Sequence, residues 1–213
     1  MRARPASFAL TLALSLTATL TLTACADIGG TGVTTTSLAP PDPAHAPADV
    51  HWEPFQGVQL PIGAHDGPTK IGTTASGYSH TPQGAALAAI NHTVRLSLAP
   101  DSAWPDVASQ SLMPGPAKDS WVLSRAQISV TAPADPAVAP RISGYRMATY
   151  DPIRTDITIY TTYPDASIAA TLQTVEWSAE DWRLRLPDPN SKTVTVQSIP
   201  AIPEGAVKLE PPN

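Results

Sequence analysis

Apolar positions follow a helical period in the first half of this chain and a two-residue period in the second. Within Thr81–Leu98, Ala86, Leu87, Ile90, Val94 and Leu98 recur at helical spacing, while Ala85, Ala88 and Ala89 permit close approach to a sheet. Thr81 is a natural N-cap, Pro82 suits the first helical position, where a missing N–H costs nothing, and Pro100 ends the run. Ser102–Met113 predicts a second, short helix, again with proline near its start, stopped by Pro114-Gly115-Pro116. Beyond it the period changes. Trp121–Val130 alternates over its second half, as do Ile142–Tyr150, Ile153–Tyr163, Ser167–Trp177 and Trp182–Leu186, and each predicts a strand. Asp151-Pro152, Pro164-Asp165 and Ala179-Glu180-Asp181 are short turn-like separators, so the last four strands form a meander of hairpins. Pro133, Pro136 and Pro140 lengthen the connection before them. Helices followed by antiparallel strands imply an α+β fold, with N-terminal helices packed on one face of a curved antiparallel sheet.

The pattern at the N-terminus is of another kind. Arg2 and Arg4 precede an uncharged run rich in Leu, Ala and Thr, Phe8–Leu22, and the only cysteine, Cys25, follows Leu22-Thr23-Ala24. Leu22-Thr23-Ala24-Cys25 resembles the bacterial lipobox. That resemblance implies removal of residues 1–24 and a diacylglycerol on the Cys25 sulfur, hence a lipoprotein held at the extracytoplasmic face of the cell membrane. An ordinary secretory signal followed by an incidental cysteine is the alternative, though a lone thiol in an exported chain is a liability. An uncleaved anchor needs about 20 consecutive apolar residues, which this run lacks.

Loss of residues 1–24 removes two arginines and no acid, leaving 11 Lys plus Arg against 18 Asp plus Glu, a formal net charge of about −7. An acidic chain without a basic run argues against nucleic-acid binding. With Cys25 lipidated no thiol remains, which excludes disulfides, cysteine nucleophiles and thiolate metal sites. Residues 25–49, rich in Gly, Thr, Ser, Ala and Pro, read as a tether that holds the domain roughly 25–30 Å from the membrane. At His51–Pro61, Trp52, Phe55, Val58 and Leu60 appear together, and Pro54, Pro61, Gly63, Gly67 and Pro68 exclude a helix. The segment reads as an extended arm whose side chains either cap the core or form a partner-binding strip. Residues 50–186 form the globular domain, and 187–213 a proline-rich tail, where Val194-Thr195-Val196 allows an edge strand but six prolines favour an extended course.

The order long helix, short helix and meander, closing with Val175-Glu176-Trp177-Ser178-Ala179-Glu180-Asp181-Trp182-Arg183-Leu184, resembles the nuclear transport factor two-like cone over about residues 77–186. A narrower resemblance rests on Trp52, Gly57, Leu60-Pro61, Gly67-Pro68, Gly77–Ala85 and Trp182-Arg183-Leu184. These look like uncharacterised actinobacterial exported proteins of integrative and conjugative elements. The resemblance implies a cell-envelope domain of a conjugative, type IV secretion-like apparatus, akin to VirB-type scaffolds. It departs from them in carrying a lipobox where they carry a transmembrane helix.

Catalytic patterns are missing. The histidines at 45, 51, 65, 80 and 92 lack the spacing of a helical zinc pair, so neither metal nor other cofactor is expected. No Gly-x-Ser-x-Gly elbow occurs, and Gly29-Gly30-Thr31-Gly32 lacks the strand and lysine of a phosphate loop. His80 and His92 read as local hydrogen-bonding groups; Asp151, Asp156, Asp165, Glu176, Glu180 and Asp181 read as hairpin acids, and Arg183 and Arg185 as facing solvent. A cone-type isomerase needs a buried acid facing a tyrosine in the cone mouth, and none of these acids fits that role well. The expectation is a non-enzymatic interaction domain, the alternative an exported ligand binder or enzyme using the cone cavity. Trp52, Phe55, Trp177 and Trp182 are the candidate interaction or core residues.

Overall fold

Tight turns with left-handed backbone shape the first and last hairpins. Gln56 and Gly57 take φ of 50° and 87°, the pairing that matches strand twist, and close a hairpin between β1 (Val50–Phe55) and β2 (Val58–Gly63). The arm expected to lie extended is therefore folded back on itself. A Cβ at Gly57 would meet the Ala134 carbonyl oxygen at 2.2 Å, so space as well as φ demands glycine. The computed structural model describes residues 41–135 and 137–211, all within one compact unit, Ala39–Asn213. Leu22, Thr23, Ala24 and Cys25 lie outside the described residues.

Two short strands, β3 (Lys70–Ile71) and β4 (Ala75–Ser76), lead to α1 (Pro82–Leu98). Thr81 caps this helix, its hydroxyl accepting from the Gly84 amide at 3.0 Å, and Pro82 opens it as expected. The expected one-sided apolar stripe is not what is seen. Ala85 through Ile90 are all fully buried, because the β1–β2 hairpin covers one flank and the main sheet the other. Toward its C-terminal end α1 reaches solvent, with Ser97 exposed and Thr93, Val94 and Leu98 half-buried.

The second helix, α2 (Trp104–Ser111), falls within the predicted span. The next segment does not: α3 (Pro116–Arg125) is a helix where Trp121–Val130 predicts a strand. Pro116 at its first position and Trp121 and Arg125 one turn apart explain the difference. Both meet the Trp104 ring, Trp121 edge-on at 6.1 Å and the Arg125 guanidinium at 5.6 Å.

The meander is built from β5 (Arg141–Arg146), β6 (Arg154–Thr162), β7 (Ile168–Ser178) and β8 (Asp181–Arg185), paired antiparallel in chain order. The C-terminal segment then departs from the expected tail. Within it β9 (Val196–Ile199) pairs with β7 and β10 (Val207–Lys208) with β5. The main sheet runs β10-β5-β6-β7-β8, and β8 and β9 share one edge of β7. Order also starts earlier than residue 50, since the Gln83 side chain donates to the carbonyls of Asp42 and His45 at 3.0 and 2.9 Å and Pro47 is buried. Among the described residues, three helices and antiparallel sheets make the fold α+β.

Candidate functional site

A cluster of polar and aromatic side chains joins α1 to the β7–β8 hairpin. Cross-strand register sets Trp177 opposite Trp182, and their rings meet edge to face at 5.3 Å, as the spacing of the two tryptophans predicts. Trp182 is fully buried and donates its indole N–H to the Ser79 carbonyl at 2.9 Å. Trp177 is half-buried, its outer face stacked on the exposed His80 ring at 4.0 Å. His80 Nε2 donates to the Pro152 carbonyl and the Tyr150 hydroxyl to the His80 carbonyl, which closes the β5–β6 loop over the hairpin.

Asp181 corrects the sequence reading. The turn is Ala179-Glu180 alone, with φ of 52° and 61°, so Asp181 is the first residue of β8 and is buried. Its carboxylate accepts from the amides of Gly77, Tyr78 and Trp182 at 2.8, 3.1 and 2.9 Å. The first two of these bonds hold the loop before α1 onto the hairpin. Behind them lie groups that periodicity could not single out. The fully buried His92 donates Nε2–H to the Trp182 carbonyl at 2.9 Å, and its ring meets Tyr78 edge-on at 5.3 Å. Burial lowers the His92 pKa to about 4, and burial pushes the Tyr78 phenol well above its ordinary value. Arg95, also buried, donates to the Gly72 and Thr73 carbonyls and sits over the Phe55 ring at 4.4 Å.

The four candidate aromatics thus separate into two places. Phe55 is buried beneath Arg95 in the β1–β2 hairpin, where the half-buried Trp52 packs against the core, whereas Trp177 and Trp182 meet in the last hairpin. Core packing is the role the structure gives Phe55 and Trp182. Arg183 and Arg185 alternate, as expected, with the buried Trp182 and Leu184, and are half-buried: Arg185 grips the Glu176 carboxylate in a bidentate pair, with Arg154 on the same carboxylate at 3.6 Å.

A cleft of about 470 Å³ opens where β7 exchanges β8 for β9 as its neighbour. Lys118, Arg154 and Arg185 reach it, but so do Asp156 and Asp188, and Glu176 already holds both arginines. Charge there is balanced internally, which gives an ionic ligand no net attraction. Among the described residues, no group of three or more His, Cys, Asp or Glu is placed to hold a metal, and no helix is long and apolar enough to cross a membrane.

Comparison with known families gives one match. A family model described as a domain of unknown function, DUF8175, covers residues 21–206, and the chain belongs to that family. The matched span takes in Leu22–Cys25 at one end and β9 at the other. No curated protein and no solved structure matches the chain.

Proposed function

We propose that the chain is a lipid-anchored, non-enzymatic interaction domain of a cell-envelope machine, of the conjugative, type IV secretion-like kind, built on a nuclear transport factor two-like cone. The observation that carries this reading is the solid interior. Ala85–Ile90 of α1, Ile157 of β6, Val175 of β7 and Trp182 of β8 are all fully buried, so the space between helix and sheet is filled by side chains. A filled interior favours a packed scaffold over a small-ligand binder, which needs a concave apolar pocket of several hundred Å³. The cleft beside β7 lies outside that interior and is charge-balanced. Cys25 supplies the membrane attachment and leaves the domain to engage envelope proteins. Two acyl chains, each buried CH₂ contributing about 0.8 kcal/mol, suffice for stable anchoring.

Fractionation tests the anchor. Cys25→Ala moves the chain from the membrane to the soluble fraction with its thermal midpoint unchanged, and an intact mass showing an unmodified Cys25 in the wild type overturns the assignment. Deletion of the gene in a conjugation-proficient host tests the machine: DNA transfer falls, and unchanged transfer excludes a conjugative role.

A further inference from the structure

One group in the joint between α1 and the last hairpin has more chemistry than packing requires. His92 is fully buried and makes one hydrogen bond, through Nε2 to the Trp182 carbonyl. A carbonyl only accepts, so the proton is on Nε2 and Nδ1 is a bare acceptor. Nδ1 has no partner among the described residues, nor have the neighbouring Tyr78 hydroxyl and Arg95 Nε. The titratable and charged groups facing the ring are Tyr78 from the loop before α1, Arg95 from α1 itself, and Asp181 and Arg183 from β8. Asp181 is the only acid among them, and its two oxygens already accept three amide N–H bonds.

We propose that His92 is a proton-operated latch: neutral, it ties β8 to the body of α1 through the Trp182 carbonyl, and a second proton releases the hairpin. A proton on Nδ1 creates a donor with no acceptor and a fully buried positive charge near the Arg95 and Arg183 guanidinium groups. Solvent reaches the ring when β8 lifts from α1, and that movement uncovers Trp182. The Gly77 and Tyr78 amides stay bonded to Asp181 of β8, so the loop before α1 travels with the hairpin.

The sign is set by burial, which lowers the His92 pKa from 6.5 to about 4 in the folded state. The latch is fully closed above about pH 6.5 and weakens as pH falls through about 4, where the opening equilibrium has moved by roughly a hundredfold. This latch stands whether or not Cys25 is lipidated.

Amide hydrogen exchange of the full chain between pH 7 and pH 4, corrected for the intrinsic pH dependence of exchange, is the test. Residues 181–186 gain about a hundredfold in exchange while β6 stays protected, and His92→Gln, which keeps an N–H donor but cannot charge, removes the pH dependence. The latch is overturned if His92→Gln opens with the wild-type pH profile, or if β6 loses protection at the same midpoint, which is global acid unfolding. Should the glutamine variant fail to fold, an NMR titration of the wild-type His92 ring decides. Hairpin opening coincident with His92 protonation supports the latch, and opening while the ring is still neutral sinks it.

Discussion

Trp182 ties α1, the loop before it and the last hairpin together. Its indole donates to Ser79, its carbonyl accepts from His92, its amide donates to Asp181 and its ring meets Trp177 and His80. Replacing a fully buried tryptophan by alanine loses transfer free energy and leaves a void that its neighbours only partly fill. Trp182→Ala is expected to cost about 3–5 kcal/mol, a large share of a domain's stability, with a matching fall in the thermal midpoint. Trp182→Phe keeps most of the volume and leaves the Ser79 carbonyl without its donor, a smaller loss of about 1–2 kcal/mol. An unchanged midpoint for Trp182→Ala would mean the inner face of the sheet is elsewhere. The tryptophan pair was legible from its spacing about a turn, but its partners were not. Asp181 looks like any acid beside a turn until the turn is known to be two residues long. Nothing local to His92 shows that its ring will face the carbonyl of a strand residue 90 positions further along the chain.

At the scale of elements, periodicity exposed the meander well: β6 and β8 alternate between buried and more exposed positions, though β7 is half-buried along almost its whole length. Periodicity placed α1 as well, with its cap and its end, and failed for α3, whose footing is a pair of side chains rather than an apolar stripe. The β7–β8 turn shows what propensity leaves unused. Ala179 and Glu180 both hold left-handed backbone, at roughly 1–2 kcal/mol for a residue with a Cβ. Glycine at position 180 removes that strain but adds about 0.4–1 kcal/mol of unfolded-state entropy. The strain is the larger effect, so Glu180→Gly is expected to stabilise the chain by about 0.5–1 kcal/mol, read from the denaturant midpoint at unchanged slope. Gly57→Ala is the opposite case, since its Cβ collides with the Ala134 carbonyl as well as forcing φ. A gain for Gly57→Ala or a loss for Glu180→Gly would show these two turns to be misassigned.

For the whole molecule, the C-terminal segment decides whether the domain ends with the meander or is closed by β9 and β10. Proline counting favours a loose tail, yet the prolines at 187, 189, 200 and 203 stand outside β9 and β10, where they interrupt no ladder. Val207 and Leu209 are buried, and the Leu209 amide donates to the Ser143 carbonyl at 3.1 Å, so the chain returns to the opposite edge of the sheet from β9. The family match extends to residue 206, past the end of the meander and through β9. Between Leu186 and β9 runs an exposed loop that carries Lys192. Trypsin is expected to cut the full chain there, because the loop is solvated and makes mostly local hydrogen bonds. The fragment from Thr193 onward should then stay with the body through native gel filtration, since β9 pairs with β7 and β10 with β5, and separate only in denaturant. If it departs under native conditions, β9 and β10 do not belong to the sheet, and the domain ends with the meander.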